Sequence, residues 1–218
     1  MRRVVVLRPE PGASETMARA QTHGLDAVSI PLFAVEPVAW DAPSAADFDG
    51  LLLTSANAIR HGGEQLAQLR GLKAYAVGKA TADAARAAGF DIAATGSGGV
   101  ERLLDSIEPD LTLLHPCGDQ RTDVSGDITP IVVYRATPIE HPDVSGIQGS
   151  VILVHSPRVG RRLAELVKDR GASAIVAISE AAAQSVGAGW ERIENADEPT
   201  DEALLALAAR LCNKPAPE

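Results

Sequence analysis

Twice the chain runs an apolar strand straight into small hydroxyl residues: LLLTSANAIR from residue 51 and VILVHSPRVG from residue 151. Ser156-Pro157 is a clear helix start, with serine as N-cap and proline at the first helical position. Thr54 and Ser55 stand in the same place before Ala56 and Asn57. A capped helix start leaves backbone N–H groups and a positive dipole end facing outward, which suits a carboxylate or a phosphate. Every α/β protein has such caps for structural reasons alone, so the repetition in two halves is what points to a ligand. Gly78-Lys79-Ala80-Thr81 is a candidate second anion cradle, with Lys79 as its charge, though a lone Gly-Lys is a weak signal. It is not a Walker loop, because Lys73 stands where the first glycine would be. TGSGGVE does not complete a dinucleotide fingerprint either, since its third glycine would fall at Glu101.

Covalent catalysis has little support. There is no G-x-S-x-G, and of the five histidines only His115 and His155 stand at strand ends. Cys117, two residues after His115, reads as a buried thiol rather than a nucleophile. No His, Cys or carboxylate cluster has metal spacing, so the expected chemistry needs no metal and no cofactor. Tyr134, one of two tyrosines, closes the strand IVVY. A phenol there either packs a hinge or offers a hydrogen bond to a ligand. Arg8, after the first strand, and Arg121, in CGDQR, are the charged candidates beside these groups.

A net charge of −9 without a polybasic stripe excludes nucleic acid and anionic membrane as partners. The opening MRRVVVLRPE is too short an apolar run for a signal peptide or a membrane span, and two isolated cysteines suit a reducing, cytoplasmic setting. Aromatics are only 3% of the chain, so its cores must be built from Ala, Val, Leu and Ile. That composition favours helices laid on buried parallel strands.

These groups are positioned by strands alternating with helices. VVVL, a helix with Ser14 as N-cap and Gly24 beyond its end, and DAVSIP form the first βαβ unit. FAVEPVAWDAPSAADFDG reads as a linker. Five strands follow between GLLLTS and ITPIVVY, interleaved with helices, one of them running to about Arg70 and another VERLLDSI; TGSGG is a turn. RATPIEHPDVSG reads as a second linker, and three strands and three helices complete the chain before a frayed tail, NKPAPE. Five strands in each half result if residues 1–35 pack with 138–218 as one discontinuous domain around an inserted domain, 38–134, with hinge linkers at 34–38 and 133–137. The expected fold is therefore α/β: two doubly wound, flavodoxin-like parallel-sheet domains joined by a two-stranded hinge, with ligands at the carboxyl ends of the strands.

With GLLLTSANAI, AVGKATADAARAAG, LLHPCGDQRTDV, IVVYRA, VILVHSPRVGRRL and AIVAISEAAAQSVGAG in that order, the chain resembles the uroporphyrinogen-III synthase family over nearly its whole length. The resemblance implies a bilobed architecture and a cofactor-independent hydro-lyase of haem biosynthesis. Its substrate would be hydroxymethylbilane, closed to uroporphyrinogen III with inversion of ring D through a spiro intermediate. It implies substrate contacts from Thr54, Ser55, Asn57, Gly78, Lys79, Thr81, Tyr134, Ser156 and Pro157, with Arg8 and Arg121 as charged candidates beside them, and a transient contact with the upstream hydroxymethylbilane synthase; Tyr134 is by position the candidate catalytic general acid near the departing hydroxyl. Two departures stand out. Ala181-Ala182 replace a threonine common in the family, and TDVSGD is too short for the helix usual before IVVY. The competing readings are a two-lobed binding protein for a small anion, without catalysis, and a flavodoxin-like scaffold with a vestigial cleft.

Overall fold

The computed structural model describes residues 2–96, 98–121 and 124–213. Ser97 of the TGSGG turn, Thr122 and Asp123 of TDVSGD, and the tail after Asn213 lie outside the described residues. In chain order the elements are β1 (Val4–Val6), α1 (Gly12–Thr22), β2 (Ala27–Ser29), β3 (Phe33–Pro37), β4 (Gly50–Leu53), α2 (Ala56–His61), α3 (Gly63–Ala67), β5 (Lys73–Val77), α4 (Lys79–Ala87), β6 (Ile92–Gly96) and α5 (Val100–Leu104). There follow β7 (Leu113–Gly118), β8 (Ile128–Pro138), β9 (Val151–Val154), α6 (Pro157–Leu166), β10 (Ala174–Ala177), α7 (Glu180–Ser185), β11 (Arg192–Asn195) and α8 (Asp201–Asn213). They form two compact units, residues 1–34 with 138–218 and residues 35–137.

The first unit is a five-stranded parallel sheet in the order β11-β10-β9-β1-β2. Its central strands are apolar at every position because both faces are covered. Val4 and Val6 of β1, with Val151 and Leu153 of β9, face a core closed by α1 and α8. Val5 and Leu7, with Ile152 and Val154, face the opposite core, which α6 and α7 close. The two-residue period of the strand makes this division. Helix α8 contributes Leu204, Leu205, Leu207, Ala208 and Leu211, a helical stripe of buried residues. Where α6 crosses α7, Gly160 leaves room for Ser185: a Cβ at 160 would lie 1.9 Å from its Oγ.

Helix α1 starts at Gly12, two residues before the expected cap Ser14. The Glu10 carboxylate accepts from the Ser14 N–H (3.1 Å), and Pro9 O accepts from Ala13 N–H, so the PEP segment itself supplies the acceptors for the first turn.

The second unit has a six-stranded sheet, β3-β8-β7-β4-β5-β6, where five strands were expected. The additional strand is β3: FAVEP reads as linker, with residues 34–38 expected as one of two connecting strands, and it joins the sheet itself. The 11-residue β8 continues through the segment read as the other linker, and β3 pairs along it. Neither segment has a strong apolar pattern, so their strand character comes from pairing with each other. The expected single helix to Arg70 is broken into α2 and α3 at Gly62-Gly63, where Gly63 has φ +61°. Leu51, Leu53, Ala74 and Leu114 pack under α2, α3 and α4. On the other face, among the described residues, the fully buried core is Leu52, Leu103 and Leu113, beneath α5. Among the described residues no helix joins β7 to β8, so this face has thinner cover.

Candidate functional site

In an open α/β sheet the strand order reverses at one point, and the strand ends part there to leave a crevice. In the second unit that point lies between β4 and β7. Their ladder pairs only Gly50 with Leu113 and Leu51 with Leu114. Pro116, further along β7, has no amide hydrogen with which to extend it. Beyond the parting, Thr54 Oγ1 and His115 Nε2 meet at 2.9 Å and tie the two strand ends together. Above them opens a pocket of about 330 Å³. Thr54, Ser55, His115, Cys117, Gln120, Arg121 and Tyr134 supply its polar lining, and Val77, Val100 and Val124 its apolar wall.

The pocket is largely neutral. His115 is 2% exposed, and burial, with Arg121 nearby, brings its pKa down to about 4, so the imidazole is uncharged at neutral pH. Burial raises Tyr134 above the ordinary phenol value, so it keeps its proton; the Ser55 hydroxyl hydrogen-bonds it and pulls the other way. Burial also raises the Cys117 thiol, whose Sγ donates to Ile131 O at 3.4 Å. That thiol is not activated, which answers the Cys-His alternative. Among the described residues Arg121 is the one charged side chain in the lining. Such a site can hold a carboxylate and donate a hydrogen bond to a leaving oxygen.

Of the residues expected at the site, Thr54, Ser55, Arg121 and Tyr134 gather around this pocket. Ser55 is the N-cap of α2, accepting from Asn57 N–H (3.2 Å), so Asn57 serves the first helical turn and does not line the pocket. Gly78, with φ +83°, caps α4 in a conformation that strains any other residue. Thr81 is buried behind it, while Lys79 is 88% exposed and ion-paired with Asp83 on the next turn. None of these three lines the pocket. His115, Gly118 and Gln120 complete it. For His115 the strand-end position was the available signal; the other two had none.

Arg8, Ser156 and Pro157 belong to the first unit. Ser156 caps α6, accepting from Val159 N–H at 3.3 Å, and Pro157 is its first residue. In this sheet the order reverses between β1 and β9, and a side chain of the protein occupies the parting. Asp201, at the start of α8, accepts from Arg8 Nη1 (3.3 Å), Thr16 Oγ1 (2.8 Å) and Arg19 Nη1 (2.5 Å), and meets His155 Nε2 at 3.1 Å. Though burial opposes it, these partners hold the Asp201 carboxyl far below the usual range. Arg8 is therefore engaged with a carboxylate of its own chain. The Ala182 departure also has a local account. In α4 the cap is Gly78 and the hydroxyl follows three residues later at Thr81. In α7 the cap itself is Ser179, accepting from Ala182 N–H at 3.3 Å.

Two doubly wound parallel sheets, with a polar pocket at the reversal point of the second, define an α/β protein with a ligand-sized crevice at its strand ends. A family model described as uroporphyrinogen-III synthase HemD matches residues 14–206, and the chain belongs to that family, the cyclising hydro-lyases of haem biosynthesis. Among solved structures, uroporphyrinogen-III synthetase from Helicobacter pylori 26695 is similar at 19% identity and a TM-score of 0.67, covering 97% of this chain and 100% of its own. A mutant uroporphyrinogen III synthase from the extremely thermophilic bacterium Thermus thermophilus is similar at 17% identity and a TM-score of 0.56, covering 98% of this chain and 100% of its own. At these identities the likeness is one of fold. No curated protein sequence matches this chain. Among the described residues no helix is long and apolar enough to cross a membrane.

Proposed function

We propose that this enzyme closes hydroxymethylbilane to uroporphyrinogen III with Tyr134 as the proton donor to the departing hydroxyl. The observation that carries this assignment is the β4/β7 pocket, where a phenol kept protonated by burial stands among neutral hydrogen-bonding groups and a single guanidinium. As the hydroxyl leaves ring A, the Tyr134 proton accompanies it as water and an azafulvene cation remains. The substituted α-carbon of ring D attacks that cation to give the spiro intermediate. Fragmentation and recombination through the other α-position invert the ring, and the proton then lost restores the phenol. The net change is loss of one water, without redox.

The substrate's carboxylate arms are assigned to the strand-end groups. Arg121 lies within the pocket lining. Lys79 can exchange its exposed partner Asp83 for a substrate carboxylate at little cost, because water and salt screen an exposed ion pair. The start of α4, where Gly78 makes no side-chain cap, offers the backbone N–H groups of Lys79 to Thr81. Most of the rate enhancement then comes from holding a flexible chain so that one carbon meets the cation. The free cysteines Cys117 and Cys212, both buried, suit a cytoplasmic setting, and direct hand-over from the upstream hydroxymethylbilane synthase would shorten the life of an unstable substrate.

The test is a coupled assay. Hydroxymethylbilane is generated by its synthase in the presence of this protein, and the oxidised products are separated by isomer. Predominance of isomer III is expected; isomer I alone, with folded protein, defeats the reading and leaves a binding protein. Tyr134→Phe is expected to lower kcat by about 100-fold, within the range for loss of a general acid.

A further inference from the structure

We propose that Gly118 is a positioning residue for this reaction: the strand bulge before it and its missing side chain together aim the Tyr134 phenol at Ser55 and into the pocket. The inference rests on the role given to Tyr134 above and adds the device that orients it.

β7 and β8 run in regular register from Leu113 opposite Ile128 to Cys117 opposite Val132. The next pair would be Gly118 and Val133. Instead the register shifts and Gly118 stands opposite Tyr134, with Asp119 N–H donating to Tyr134 O at 3.1 Å. Because strand residues alternate faces, a one-residue shift changes which side chain is presented at that level. Val133 is wholly buried, and the phenol comes to lie across Gly118. A Cβ at 118 would stand 2.8 Å from two ring carbons and 3.0 Å from the phenolic oxygen.

The backbone at Gly118 is outside the left-handed region, so space alone excludes a side chain there. The His61 ring stands 6.2 Å from the phenol, centre to centre. Ser55 completes the arrangement. Its oxygen accepts from Asn57 N–H (3.2 Å), which leaves its own hydrogen for the phenolic oxygen. With that oxygen accepting from Ser55, the phenol's hydrogen is free for the substrate. The titratable groups around it are Cys117 on β7, Asp119 just beyond β7, His61 on α2, and His115 and Arg121 of the pocket lining.

The experiment uses Tyr75→Phe as background, leaving Tyr134 as the one tyrosine, and follows tyrosinate absorbance against pH alongside steady-state kinetics. Gly118→Ala is expected to bring the phenol titration back towards the ordinary value near 10. It should lower kcat by about 10- to 100-fold, the scale of a misplacement near 1 Å, with KM changed by less than about twofold. Combining it with Tyr134→Phe is expected to add no further loss in kcat. Ser55→Thr, which keeps the hydroxyl, should retain activity that Ser55→Ala loses. An unmoved titration, or losses that multiply in the double variant, would overturn the proposal. Unchanged turnover in Tyr134→Phe alone would overturn the assignment of Tyr134 instead, while the titration still decides whether Gly118 aims the ring.

Discussion

Protonating His115 should cost the second unit stability in a defined pH window. The imidazole is 2% exposed, bonded to Thr54 at 2.9 Å, and titrates near 4 rather than at its ordinary 6.5. Between those values the unfolded chain binds a proton that the folded one refuses, so stability falls as the pH falls from about 6.5 to about 4 and levels off below. The full gap corresponds to about 3 kcal/mol, and at pH 5 the loss relative to neutral pH is about 2 kcal/mol. Trp40 reports on this unit alone: its indole N–H donates to Gly62 O at 3.0 Å, and it packs beside the core under α2 and α3. Urea unfolding followed by Trp40 fluorescence, with Trp190→Phe silencing the other unit, reads the effect directly. With a urea dependence of about 1 kcal/mol per molar for a unit this size, the midpoint should drop by roughly 2 M from pH 7 to pH 5. His115→Gln keeps an amide nitrogen near Thr54 and has no proton to gain, so most of that drop should vanish. The same pH slope in wild type and His115→Gln would refute the reasoning.

Further outcomes concern the first unit, read by Trp190 fluorescence in a Trp40→Phe background. Asp201→Ala strips the shared acceptor from Arg8, Arg19, Thr16 and His155 and should cost about 3 kcal/mol, as breaking one side of a buried ion pair does. Because the folded-state carboxyl titrates far below its unfolded value, this contribution is present above about pH 4 and lost as the pH falls further, and the variant should lack that acid limb. Gly160→Ala should cost about 1–3 kcal/mol by overpacking α6 against Ser185, and Ser185→Ala should recover part of it in a double variant. Ser156→Ala, removing the α6 cap, should lower the unfolding free energy by about 1 kcal/mol.

What could be read in the chain beforehand was whatever each segment carries in its own composition. GLLL, VILV and AIVA are apolar throughout, as strands buried on both faces must be, and they fold as β4, β9 and β10. Ser55, Ser156 and Ser179 stand two residues beyond those strands and cap the next helix, because a short hydroxyl side chain can reach the free N–H groups of the first turn. Strand ends of this kind bring Thr54, Ser55, Arg121 and Tyr134 into one pocket.

The rest depended on partners far away in sequence. FAVEP pairs with β8 where two connecting strands were expected, around 34–38 and 133–137, but that this pair continues the sheet of the second unit as its sixth strand is not written in five mixed residues. Asp201 reads locally as an ordinary acidic residue at a helix start, yet it holds Arg8, 193 residues away. The bulge that sets Tyr134 over Gly118 is a mismatch between two strands and has no existence in either one. Local sequence determined which segments were strands and which residues ended them. Register, crevice and charge pairing were decided in the tertiary structure, since each is an interaction between chain segments whose contact the fold itself creates.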